Sequence, residues 1–285
     1  MTHRSVWFAL FVGLTLVAFC APLTTLIRLA LQQEHYSHIL LVPILSASLF
    51  FLRRRRIFSH VTTDWRIGIG LLCVGALVYY FGNGSSAALS ENDRLSIVMF
   101  SVVVIWVGGF VLCYGLHALR NGLFPALFLV LMIPIPDFLL SRTIFWLQVG
   151  SAEVSYAVFE LTGVPVLRSG FIFSLPGLTI EVAKECSGIR SSLALLIISL
   201  LAGHLFLRSA WRKIVLILAA LPLLIVKNGI RIVTLSLLSV YVDPGFLTGN
   251  LHRDGGTFFF LLALAMLAPL LRLLERSERT TSPAR

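Results

Sequence analysis

LSIVMFSVVVIWVGGFVLCYGL, residues 95–116, runs for 22 positions without a charged side chain. A helix needs about 20 apolar residues to cross a bilayer, so this stretch makes lipid, not water, the solvent of the fold. The whole chain agrees. Of its 285 residues, 58% are hydrophobic and 13% charged, against about a quarter charged in soluble domains. Comparable apolar runs lie at 5–27, 39–52, 67–82, 122–135, 188–207, 214–233 and 257–273, giving eight candidate spans. The first is a poor cleavable signal peptide, since its apolar run is long and Pro22 and Arg28 spoil a small-residue cleavage pattern. The expected fold is therefore an all-α polytopic transmembrane helix bundle in a single membrane domain, 1–285.

Charge sets the expected orientation. The net charge is +10, but in a membrane protein lysine and arginine mark cytoplasmic loops and do not signal nucleic acid. Clusters RRRR (53–56), HALRN (117–121), LRSAWRK (207–213) and RLLERSER (272–279) alternate with poorer loops. Placing all four in the cytoplasm puts both termini inside. The outer side then receives 82–94, 136–187 and 243–256. Within 136–187, the part 138–160 has apolar residues at helical spacing together with Arg142, Glu153 and Glu160. That pattern predicts an amphipathic helix, lying in the interface or packed under the bundle, with two short spans as the alternative. Residues 169–187 alternate around Pro176-Gly177, which predicts a short hairpin on the outer face.

Three segments carry candidate chemistry, and this topology delivers all three outside. EVAKECSGIRSS (181–192) surrounds Cys186 with charges at the mouth of an apolar run, whereas Cys20, Cys73 and Cys113 sit within apolar stretches. Ser187-Gly188 precede the span, so the thiol lies near a helix N-terminus, where the dipole, Lys184 and Arg190 favour thiolate and Glu181 and Glu185 oppose it. LLIVKNGIRIVTL (223–235) places Lys227, Asn228 and Arg231 inside an apolar helix, with Asn228 and Arg231 sharing one face. NLHRDGGTFFF places His252 in the last outer loop, before a pair of glycines. Each has a plainer reading: a small residue filling a helix end, an arginine reaching to headgroups, a solvated loop histidine. Together they form an acyl-transfer set of thiolate, proton shuttle and oxyanion-stabilising guanidinium. No HExxH, GxSxG or Walker pattern competes, and no metal or other cofactor is expected.

These motifs resemble those of the exosortase/archaeosortase family of integral membrane cysteine transpeptidases. ECSGIRSS, NGIRI and HRDGG look like its three active-site motifs in order. YSHILLVPILS (36–46) is similar to its early Tyr-Ser-His…Pro signature, and IPIPDFLL (133–140) to its mid-chain proline motif, so the likeness spans about 36–262. Ile39 departs from the glycine of that pattern. The resemblance implies Cys186 as nucleophile, His252 as general acid/base and Arg231 as transition-state stabiliser. It makes Asn228, Glu185, Ser187, Gly188, His38 and Tyr36 supporting or substrate-binding positions. It further implies substrate proteins anchored by a C-terminal signal: a Pro-Glu-Pro-type motif, a transmembrane helix and a basic tail. They would be cleaved through a thioester on the periplasmic side of a bacterial inner membrane, and the product passed to water or an amine acceptor. Such enzymes are linked to protein sorting and exopolysaccharide production. A transporter or polysaccharide-assembly scaffold that uses Arg231 to bind an anion is the alternative from another class; a hydrolase without acceptor is the third.

Overall fold

The computed structural model describes residues 2–84, 89–183, 188–247 and 250–281, with backbone only for 2, 247, 250–255 and 281. The described chain is helical apart from one small sheet, and it divides into two compact units, Met1–Leu140 and Ser141–Arg285. Six helical segments are long and apolar enough to cross a membrane, or up to eight if two sharply bent helix pairs each count as one span. Exposed apolar side chains such as Trp7, Leu14, Leu52, Tyr80 and Trp146 cover these helices. In water that surface would drive aggregation; in lipid it is the solvated face.

The first unit begins with α1 (Thr2–Ala18) and α2 (Cys20–Gln32). The run 5–27 is thus not one straight span: the chain bends by 76° between these helices. Pro22 accounts for the break, because a proline is tolerated in the first turn of α2 but its ring clashes with the carbonyl four residues back, at Ala18. A 3₁₀ segment, Glu34–Leu40, leads into α3 (Leu41–Leu52), then α4 (Arg54–Ile57), α5 (Trp65–Gly84), α6 (Glu91–Asn121) and α7 (Leu123–Phe128).

α5 and α6 show how helices associate without a hydrophobic drive between them. Gly68, Gly75 and Gly82 recur every seven residues and are all buried. A methyl at Gly75 would sit 2.6 Å from Ile105 Cγ1, and one at Gly68 2.9 Å from the Leu112 nitrogen. The glycines form a seam on α5 that lets the backbones approach, the small-residue packing expected in lipid. α6 starts on Ser90, whose Oγ accepts from the Asp93 nitrogen at 3.0 Å, capping one of the orphan donors of the first turn.

The second unit contains most of α8 (Asp137–Thr162), strands β1 (Leu167–Ser169), β2 (Ile172–Leu175) and β3 (Leu178–Glu181), and helices α9 (Ile189–Phe206), α10 (Ala210–Tyr241) and α11 (Asn250–Thr281). The predicted hairpin is present, turning at Pro176-Gly177, with Leu175 paired to Leu178. It is larger than expected: β1 adds an antiparallel third strand, Arg168 opposite Phe173. The sheet packs on α8 and α10 through Phe173, Leu175 and Val182 against Ala152, Phe159 and Val233. The Phe159 and Phe173 rings lie 5.7 Å apart, a pair worth about 0.5–1.5 kcal/mol beyond its buried area.

α8 exists as predicted, but its polarity is reversed from that of an interfacial helix. Gln148, Ser151 and Ser155 are buried, while Phe138, Leu139, Phe145 and Trp146 are exposed. Polar groups packed inward and apolar groups outward suit a helix in contact with lipid, because hydrocarbon cannot satisfy a hydroxyl or amide. Apolar periodicity alone does not say which stripe faces the protein. At the other end of the unit, the Glu278 carboxylate accepts from the Arg208 and Ser209 nitrogens at 2.8 and 2.6 Å. It ties the last turns of α11 to the orphan donors at the start of α10.

Candidate active site

The site is built where α8, the sheet exit, α9 and α10 meet. β3 ends at Glu181, and the following Val182 carbonyl accepts from Gln148 Nε2 of α8 at 2.8 Å. The Val182 nitrogen donates to the Phe171 carbonyl at 2.9 Å. The chain is described again at Gly188, the N-cap of α9, with φ 75° and ψ 19°. An L-residue adopts this left-handed conformation only at a cost, so glycine belongs here. The Gly188 carbonyl accepts from Ser191 Oγ, Ser192 Oγ and the Ser192 nitrogen, each at 2.9 Å. Lys184, Glu185, Cys186 and Ser187 lie outside the described residues, between these two anchored ends.

α10 supplies the wall. Starting at Ala210, it places Arg231 about 32 Å along its axis at 1.5 Å per residue, so the apolar helix expected around Lys227, Asn228 and Arg231 is present. Lys227 and Asn228 are 2% and 1% exposed. Lys227 Nζ donates to Ser191 Oγ at 2.7 Å, and Asn228 Nδ2 donates to Ser151 Oγ of α8 at 2.9 Å. Asn228 also flanks the glycine turn: a methyl on Gly188 would lie 3.3 Å from Asn228 Oδ1. The close approach of α8 depends on Gly229, where a methyl would meet Val154 Cγ1 at 2.5 Å. One small residue therefore seats the neighbouring amide. Arg231 is half-buried and lies one turn beyond Lys227, on the Asn228 face.

His252 was expected in a loop; the structure starts α11 at Asn250, so His252 stands in the first turn of that helix. α11 packs on α9 and α10 through Ala263 and Leu267 against Leu195, Leu216 and Leu224. Of the three expected catalytic residues, the description thus includes Arg231 in full and the helical backbone of His252, with Cys186 outside it. It brings Gly188 and Asn228 together directly.

Tyr36 and His38 belong to the first unit. Tyr36 is 1% exposed, and its hydroxyl lies 3.2 Å from both Asn92 Oδ1 and the Ile135 carbonyl. Asn92 Nδ2 donates to the same carbonyl at 2.8 Å and to Asp137 Oδ1 at 2.7 Å, while Asp93 Oδ1 accepts from the Asp137 nitrogen at 2.7 Å. The early tyrosine and the proline stretch 133–137 are thereby joined through the first turn of α6. His38 Nδ1 lies 2.9 Å from the His35 carbonyl, within its own 3₁₀ segment.

Sequence reading misses Gln148, Ser151 and Ser191 as members of the site and leaves Lys227 without a role. A signal was available in α8: Gln148, Ser151 and Ser155 follow at spacings of three and four, a polar stripe on an apolar helix. Beside the sheet, Arg168 grips Glu153 with two bonds of 2.9 and 2.7 Å. That hydrogen bonding raises the arginine pKa further above its already high value. Among the described residues, no group of three His, Cys, Asp or Glu side chains is arranged to hold a metal ion.

The family model described as "Transmembrane exosortase" matches residues 30–269. No curated protein and no solved structure matches the chain. Exosortases are membrane enzymes of the transpeptidase or protease kind that act on secreted substrate proteins. With the match covering most of its length, on a multi-pass helical fold, the chain belongs to the transmembrane exosortase family.

Proposed function

We propose that the protein is a cysteine transpeptidase or protease that removes the C-terminal sorting signal of membrane-anchored secreted proteins at the periplasmic face of a bacterial inner membrane. The observation that carries this reading is the pair of anchors around Cys186. The Val182 carbonyl is held by Gln148, and the left-handed Gly188 abuts Asn228 of the helix that bears Arg231. Val182 and Gly188, the described residues nearest Cys186 in the chain that carry these bonds, are thus tied to α8 and α10, and acyl transfer needs geometry set in advance.

In this reading the Cys186 thiolate attacks the scissile carbonyl of a Pro-Glu-Pro-type signal, and Arg231 meets the oxyanion that develops. Collapse of the tetrahedral intermediate forms the thioester and breaks the C–N bond. The departing amine, which carries the transmembrane helix and basic tail, takes its proton from His252. Water or an amine on an acceptor then attacks the thioester and gives up a proton to His252, and the C–S bond breaks to restore the thiolate. No cofactor is called for. This reading gives the enzyme a place in protein sorting linked to exopolysaccharide production.

The test is co-expression of a secreted protein ending in such a signal with wild type, Cys186→Ala, and a variant lacking Cys20, Cys73 and Cys113. These three are exposed or half-buried on helices, and their joint replacement by serine should leave processing within about threefold, at the packing cost of small surface changes. Cys186→Ala should stop processing at unchanged abundance in the membrane. Processing that persists without Cys186 refutes the mechanism.

A further inference from the structure

Lys227 has no task in the chemistry above, yet it is an ammonium enclosed beside α9. It is 2% exposed and, among the described residues, forms no ion pair. Its ammonium has one described acceptor, Ser191 Oγ at 2.7 Å, and that hydroxyl in turn donates to the Gly188 carbonyl at 2.9 Å. Arg231 adds a second positive charge one turn away. A buried ammonium without a carboxylate is costly, and methionine of the same shape would pack there more cheaply. Retaining the charge calls for an anion, and the chain from Lys227 through Ser191 leads to the residue two places after Cys186.

We propose that Lys227 is a positioning residue of this site: through Ser191 it holds the Gly188 turn at the mouth of α9, and its positive charge favours the thiolate of Cys186. The proposal rests on the acyl-transfer reading. Ser192 also donates to the Gly188 carbonyl, so the turn has two hydroxyl supports, of which Ser191 is the one that accepts from the Lys227 ammonium. The other charged or titratable groups to be weighed are Glu181, Lys184, Glu185 and Arg190 on the same segment, Arg231 on α10, and His252, Arg253 and Asp254 on α11. α8 presents neutral Gln148 and Ser151.

The test is the pH dependence of Cys186 alkylation by iodoacetamide in the full-length protein in its membrane, with Cys20, Cys73 and Cys113 replaced by serine. Losing a nearby cation disfavours the anionic thiolate, so Lys227→Met should move the midpoint upward by about one pH unit, the low end of the range for a neighbouring opposite charge. Lys227→Arg should return it toward wild type. The same comparison on a His252→Gln background must give the same displacement, so that a histidine titration is not mistaken for it. An unchanged midpoint in Lys227→Met overturns the proposal and leaves Glu185 as the partner that the cation balances. If Lys227→Met fails to accumulate, Ser191→Ala decides: a raised midpoint supports the relay and an unchanged one overturns it. The two readings fail separately. Normal processing by Cys186→Ala refutes acyl transfer whatever the titration gives, whereas a dead Cys186→Ala with an unmoved Lys227→Met midpoint refutes only the role of Lys227.

Discussion

Gly188→Ala tests whether the entry to α9 presents the nucleophile. The position has φ 75°, and an L-residue in the left-handed region costs about 1–2 kcal/mol. The added methyl would also sit 3.3 Å from Asn228 Oδ1 and 3.4 Å from Ser191 Oγ. Asn228 is 1% exposed and bonded to Ser151, so it has little freedom to retreat. The core of the unit, Leu195 against Leu216 and Leu224, lies further along α9 and would not register the change. The turn should therefore leave its working conformation while the helices stay packed, and a penalty of about 1–2 kcal/mol corresponds to a roughly 5–30-fold loss of processing. Gly177→Ala is the matched control: its φ is 73°, but no atom lies within 4 Å of the added methyl, and it sits in the β2–β3 turn. It should show a similar local strain with processing within about threefold of wild type, since no site contact is disturbed. The assay is the rate of signal removal from a co-expressed substrate, normalised to enzyme in the membrane. Wild-type processing by Gly188→Ala would mean that the left-handed entry does not govern the site.

Arg231→Lys keeps the charge but loses the planar fork of donors, so processing should fall by about 10²–10³ if the guanidinium meets an oxyanion; a rate within threefold of wild type removes Arg231 from the mechanism. Cysteine-accessibility labelling should reach positions 84 and 245 only from outside and positions 54 and 209 only from the cytoplasm, following the basic clusters; labelling of 245 from the cytoplasm puts the candidate site on the wrong face. Glu153→Ala removes the partner of Arg168, but Glu153 has a side chain 62% exposed, so the melting temperature should stay close to that of wild type; a marked drop would show that the pair anchors the sheet.

The parts of this fold legible in the sequence are those dictated by lipid. Residues 95–114 lie in the helical part of α6 that precedes its break at Gly115 (φ 85°), and the long helix through Lys227 and Arg231 is α10, because an apolar run has no other stable form in a bilayer. The turn at Pro176-Gly177 was legible from turn chemistry. What failed did so for local reasons. The bend before Pro22 divides a run that reads as continuous. The helix start at Asn250 takes in glycines that read as a loop. β1 has only three residues, too few for alternation to register. In the site, Asn228 stood out because an amide in an apolar helix is conspicuous, whereas Ser151 and Gln148 did not, because serine and glutamine carry no charge to draw attention. The role of Gly188 required its φ.

The same solvent explains why packing and candidate site share residues. Between helices in lipid, burying an apolar side chain gains little, since the acyl chains offer an equivalent environment; close backbone approach and interhelical hydrogen bonds must hold the pair. Two glycines let α8 and α10 approach, for a methyl at Gly150 would meet Ile225 Cδ1 at 2.9 Å and one at Gly229 would meet Val154 Cγ1 at 2.5 Å. That approach is what brings Ser151 within 2.9 Å of Asn228. A soluble protein can place its polar site on loops above an apolar core. Here the interhelical bonds and the polar wall beside Gly188 are the same groups, and their placement is set by glycines one residue away in the chain: Gly150 beside Ser151, Gly229 beside Asn228. An enlarged side chain at Gly229 would therefore act on the site by moving Asn228 away from Ser151 and Gly188, with the loss of helix packing and the loss of site geometry arising from one displacement.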